Sequence, residues 1–171
     1  MEKLFVDSDS FIQHIKDTAS SIRDDYVTSR YVGFIATTAV TVYEVAVKKL
    51  LVEFANVQHP ILANFVSAEF EQINARIRTE DIREKYLDKF GKKYSDRFVS
   101  LLDAKEKEFI KDKGSIIHSY GNLITWRNEF VHQGTVAKNA TFDEAVKSYE
   151  LGKEVIFVLQ QTFELPREEE S

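Results

Sequence analysis

The chain has 171 residues, 43% of them hydrophobic and 30% charged, with a formal net charge of −5. That size suits one domain with a buried core, and the apolar share excludes a disordered chain. The sequence has no cysteine, which excludes disulfides and thiolate metal sites, and the acidic balance counts against a broad nucleic-acid-binding face, because phosphate binding is mostly neutralisation by Lys and Arg.

Residues Met1 to Asp7 lack the apolar core and small-residue cleavage site of a signal peptide, and apolar runs elsewhere fall short of a membrane span. The expected compartment is the cytoplasm, with no membrane partner. Six Gly and two Pro punctuate the chain, and no segment alternates cleanly between turn signals. This predicts an all-α, up-and-down bundle of about five to seven helices. It forms a single domain over residues 1–165, followed by a disordered acidic tail, 166–171.

In chain order, Asp7, Ser8, Asp9 or Ser10 is expected to cap a first helix with Phe11, Ile15, Ala19 and Ile22 on one face. A second helix, from about Thr28 to Phe54, is apolar nearly all round and is read as the central element. Glu44 is the one acid inside its apolar stretch from Tyr31 to Leu51. It is either a surface pair with Lys48, four residues on, or the buried partner of a cation elsewhere. His59-Pro60 marks a turn. Ile61 through Ile73 describe a third helix reaching about Arg78. Thr79 starts a fourth, with Ile82, Tyr86 and Phe90 on one face and Gly91 as its stop. Tyr94, Phe98, Leu101, Leu102 and Phe109 make a fifth, surrounded by charges of both signs in which Lys92, Lys93 and Arg97 could guide a polyanion.

The next helix carries the candidate chemistry. Ile116, Ile117, Tyr120, Leu123, Ile124, Phe130 and Val131 recur at helical spacing, and Gly134 stands at a left-handed C-cap position. Arg127 projects from the middle of that stripe, where an unpaired charge would cost of order ~3 to 5 kcal/mol, so it needs a partner. Asn128 and His132, four residues apart, share one flank. A guanidinium, an amide and an imidazole therefore converge at one end of one helix. Glu44 is a candidate second-layer acid for Arg127 or His132, and Lys48 and Lys138 are candidate contacts to substrate. His118 falls on the opposite face, and Trp126 sits on the flank as a core edge or a contact surface. A capping box, Thr141 with Glu144, opens the last helix, which carries Ala145, Tyr149, Val155, Ile156, Leu159 and Phe163.

The order Arg127-Asn128, then His132, closely followed by Gly134, resembles the signature of the HEPN superfamily: an Arg with a polar neighbour, often Asn, and a His after a gap of four to six residues. The resemblance implies a small all-α bundle that dimerises and, in many members, acts as a metal-independent endoribonuclease in toxin, antiphage or RNA-processing systems. One branch carries a Tyr two residues past the His as a modification target; Gly134 occupies that position, so that scheme is not implied.

Other chemistries lack their residues. There is no His-Glu-x-x-His, no Gly-rich phosphate loop and no Gly-x-Ser-x-Gly elbow, so no metal or other cofactor is expected. RNA cleavage needs less, because the substrate's own 2′-hydroxyl is the nucleophile. His132 can move protons, Arg127 can hold the phosphoryl oxygens, and Asn128 can assist. The expected products are 2′,3′-cyclic phosphate and 5′-hydroxyl ends. One His cannot easily serve as base and acid in one step, and the resemblance implies a homodimer whose second copy completes the site. The expected partners are RNA, a second copy, and a protein antitoxin or regulator. The alternative is a non-catalytic HEPN-like module that dimerises or binds a protein partner.

Overall fold

Asp24 opens the longest helix. Its carboxylate accepts from the backbone N–H groups of Tyr26 (2.9 Å) and Val27 (3.2 Å), satisfying two donors that a helix start leaves free. The computed structural model describes residues 2–19, 22, 24–71, 73, 76–135 and 140–164. Over these residues the helices are α1 (Glu2–Ala19), α2 (Asp25–Gln58), α3 (Pro60–Phe70), α4, α5 (Lys92–Phe109), α6 (Ile116–Gln133) and α7 (Phe142–Phe163). Here α4 is the continuous rod made by Thr79–Asp81, Ile82–Leu87 and Asp88–Phe90. Among the described residues there is no strand, and no helix is long and apolar enough to cross a membrane.

The 34-residue α2 is the centre of the bundle, packed by α1, α3, α6 and α7, while α5 lies against α7. Its Ile35, Ala36, Ala39, Tyr43, Ala46 and Val47 are fully buried or nearly so. Tyr43 is the hub. Its ring stacks on Tyr120 of α6 at 5.4 Å and on Tyr149 of α7 at 6.2 Å, and its hydroxyl donates to the Tyr149 carbonyl at 2.5 Å. His59 ends α2 and begins α3: its backbone is extended (φ −167°), its N–H returns to Ala55, and its Nδ1 accepts from Ile61 at 3.1 Å. Pro60 follows at the first helical position, where no N–H is needed.

Three expectations need correction. The acidic and serine residues at 7–10 do not cap α1, which already runs from Glu2. Phe5 draws the earlier residues in, packing edge-on against Tyr43 and Phe157. The buried face is then Phe5, Ser8, Ile12, Ile15 and Ala19, leaving Phe11 45% exposed. Secondly, α3 stops at Phe70 rather than near Arg78. Ile73 and Ile77 are buried all the same without being helical, and tyrosines take the carbonyls of Arg76 and Ile77: Tyr86 donates to Arg76 at 2.5 Å and Tyr120 to Ile77 at 2.8 Å. Thirdly, α4 is wound as a π-helix over Ile82–Leu87, with the Asp88 N–H reaching back five residues to Arg83. The wider turn sends Ile82, Tyr86 and Leu87 all inward. The tail from residue 165 onward lies outside the described residues.

Candidate functional site

Helix α6 is held at both ends. At its start, the Ser115 hydroxyl accepts from His118 at 2.9 Å, and the Glu106 carboxylate of α5 accepts from Ile116 (2.9 Å) and Ile117 (3.2 Å). At its end, Gly134 adopts a left-handed conformation (φ 64°) and returns its N–H to Glu129, a geometry that costs a side-chain-bearing residue strain. Arg30 of α2 donates to the Gly134 carbonyl at 3.0 Å. Between these ends α6 meets α2 where Phe130 lies over Gly33. A Cβ on residue 33 would sit 2.2 Å from the Phe130 ring, so only glycine admits the aromatic. Phe34 then packs edge-on to the same ring at 5.4 Å.

That anchoring fixes the last two turns, where the three motif residues meet. Arg127 Nη1 donates to Asn128 Oδ1 at 3.0 Å and lies 3.3 Å from His132 Nε2. A guanidinium has no acceptor, so Nε2 accepts and the imidazole proton sits on Nδ1. Both hydrogens of Nη1 are committed in this way. Among the described residues, Nη2 and Nε of Arg127 have no protein acceptor and are free for an anion. Arg127 and Asn128 are half-buried and His132 is exposed.

The three residues line an open pocket of about 390 Å³ together with Arg76, Arg78, Asp81, Ile124 and Gln133. Asp81 is engaged by Lys85 at 2.5 Å. Among the described residues, neither Arg76 nor Arg78 has a carboxylate within ion-pair distance, so the pocket is cationic within an acidic protein. Sequence reasoning missed both arginines because they stood inside a segment read as helix. The available signal was the alternation Arg76-Ile77-Arg78. On an extended chain, with Ile77 buried, both neighbours must point outward.

Glu44 and Lys48 do not line this pocket. Glu44 pairs with Lys48 at 3.0 Å, and Lys48 also donates to the Glu71 carbonyl at 2.9 Å. Among the described residues, no hydrogen bond or ion pair joins either of them to Arg127 or His132. Lys138 lies outside the described residues. Arg97 donates to the carbonyls of Gln161 and Glu164 at the end of α7, and Lys92 stands between Asp88 and Asp96. Trp126 is partly buried against the core and His118 is exposed. Among the described residues, no three His, Cys, Asp or Glu side chains converge as metal ligands would.

A family model described as RiboL-PSP-HEPN matches residues 4–164. Neither the curated proteins nor the solved structures provide a match to this chain.

Proposed function

Because the chain belongs to the RiboL-PSP-HEPN family of HEPN-superfamily domains, we propose that it is a metal-independent endoribonuclease whose working residues are Arg127, His132 and Asn128. The observation that carries this reading is the 3.3 Å approach of Arg127 Nη1 to His132 Nε2. It brings an imidazole nitrogen and a guanidinium, with the latter's Nη2 and Nε still unused, to one pocket.

In the reaction, the His132 ring leaves the hydrogen bond from Arg127 Nη1, the freed Nε2 removes the proton of a 2′-hydroxyl, and the 2′-oxygen attacks the adjacent phosphorus. The 5′-oxygen leaves with its bond electrons and takes up a proton, giving a 2′,3′-cyclic phosphate and a 5′-hydroxyl. Arg127 Nη2 and Nε hold the non-bridging oxygens as charge builds on them, and the Asn128 amide donates alongside. General base catalysis of this kind contributes roughly 10² to 10⁴-fold. The proton for the leaving oxygen comes from His132 of a second copy in a two-fold dimer. Exposed apolar groups beside the motif, Phe34 at 46% and Val131 at 48%, favour a partner surface there. They equally favour the second reading, a non-catalytic module that binds a protein partner. The cellular role that goes with the nuclease is a toxin or antiphage-defence component, restrained by an antitoxin or regulator.

The test is cleavage of a mixed RNA by purified protein in EDTA, wild type beside His132→Ala, with the 3′ ends of the fragments identified. Cyclic-phosphate ends that vanish in the variant are the expected result. No cleavage by either folded, dimeric protein would transfer the assignment to the binding module. On expression in cells, growth arrest relieved by His132→Ala is expected of the toxin.

A further inference from the structure

Arg76 and Arg78 have no role in the reaction just described, yet they face the same pocket as Arg127. Among the other described cations several are held by carboxylates: Lys48 by Glu44, Lys49 by Glu53, Lys89 by Glu69, Lys105 by Glu108 and Glu154. Three guanidiniums share one pocket, and its single carboxylate is already engaged by Lys85. In a chain of net charge −5 a polyanion can be held only where cations are focused in this way.

We propose that Arg76 and Arg78 form an RNA-phosphate cradle beside the scissile position, which holds the single strand along the outer side of α6. The inference rests on the ribonuclease reading for its substrate, but its geometry stands by itself.

The arm that carries the two arginines is pinned. Ile77 between them is fully buried, and the carbonyls of Arg76 and Ile77 each accept from a tyrosine hydroxyl, Tyr86 at 2.5 Å and Tyr120 at 2.8 Å. Tyr120 belongs to α6, two turns before Arg127 and so about 10 Å from it along the axis. One helix therefore presents the motif and holds the arm that faces it. Arg78 also lines an adjoining pocket of about 310 Å³ against α6, with His118, Asn122 and Thr125 on its wall and the Glu80 carboxylate at its side. The two pockets meet at Arg78, which gives a strand leaving the motif a continuous polar path toward the start of α6. Guanidinium forks match phosphate oxygens two at a time, which a scattered lysine surface does not.

The test is binding of a single-stranded RNA oligonucleotide as a function of salt, on a His132→Ala background so that nothing is cut, with Arg76→Ala, Arg78→Ala and the double variant. Each lost contact is expected to flatten the slope of log K against log salt by about 0.7, and the double variant by about 1.4. In cleavage-competent protein the same changes are expected to fall on KM more than on kcat, with Arg78→Lys recovering part of the loss. Both positions are exposed, so folding is expected to be unaffected, as circular dichroism can verify. An unchanged slope in the double variant, or no salt-dependent binding at all, overturns the cradle. If that happens while His132→Ala abolishes cleavage, the nuclease reading survives alone. Conversely, flattened slopes beside undiminished cleavage by His132→Ala would keep the cradle and remove the nuclease assignment.

Discussion

Arg127 resolves the problem its position poses by spending one nitrogen on its neighbours and keeping the rest of the fork for something else. Nη1 satisfies Asn128 and His132, and the half-buried stem packs along α6. A lysine there would supply a charge but not a fork: three donors on one point do not form the planar pair that binds two phosphoryl oxygens while a separate nitrogen holds Asn128. Arg127→Lys is therefore expected to lower single-turnover cleavage by about 10² to 10³-fold, the usual loss for one preorganised oxyanion donor, while the melting temperature hardly moves. A fall of many degrees with little change in rate would make Arg127 a structural residue instead. The motif was legible in the sequence because all three residues lie within one helical turn and a half, where spacing alone determines who meets whom. The cradle arginines were not, because their meeting with Arg127 depends on two tyrosine hydroxyls contributed by α4 and α6, and no local pattern encodes a hydrogen bond between distant segments.

Among the elements, the crossing of α2 and α6 sets the position of the site. Phe130 sits between Arg127 and His132 in sequence and fills the space that Gly33 leaves open, with Phe34 against its ring. Gly33→Ala would place a Cβ inside that ring, and the aromatic cannot retreat without moving the last turn of α6. Overpacking of this kind costs about 1 to 3 kcal/mol, or roughly 2 to 4 °C of melting temperature for each kcal/mol in a domain of this size. Cleavage is expected to suffer more than stability. Adding Phe130→Ala to Gly33→Ala is expected to cost less than the sum of the two changes, since the second removes the atoms the first collides with. A purely additive cycle would show that the crossing does not depend on this contact. The same scale explains where sequence reading succeeds and fails. Helix α6 was legible because apolar spacing and Gly134 agree, and α7 because its capping box states where it starts. Helix α3 was overrun because Ile73 and Ile77 continue its apolar period while the backbone has already left the helix. The π-turn of α4 was invisible, since one widened turn leaves the residue types unchanged.

At the scale of the whole molecule, tyrosine hydroxyls tie helices together through the core. Tyr43 donates to the Tyr149 carbonyl, Tyr120 to Ile77, Tyr86 to Arg76, and Tyr149 to the Asp9 carboxylate, which also receives Lys153 at 2.5 Å. Each hydroxyl can serve as donor only while protonated. Burial, the leading cause in all four, pushes Tyr43 and Tyr120 well above the ordinary tyrosine value of 10.0, Tyr86 up to about 12, and Tyr149 upward as well, the last helped by its bond to Asp9. In the unfolded chain the same groups lose their protons near pH 10. Between that value and the folded ones the native state holds more protons than the unfolded state, so stability must fall as pH rises. The tyrosine contribution is thus complete below pH 10 and is withdrawn from about 10 to about 12 for Tyr86, and over a higher range for the others. Urea midpoints are expected to be flat in this respect from neutrality to about pH 9 and to drop steeply beyond pH 10, with the tyrosinate absorbance near 295 nm rising together with unfolding rather than before it. Tyr86→Phe removes one titrating group and one tie. It is expected to lower stability at neutral pH by about 0.5 to 1.5 kcal/mol while making the alkaline loss shallower, a crossing of the two pH curves that a tyrosine without a folded-state partner would not produce.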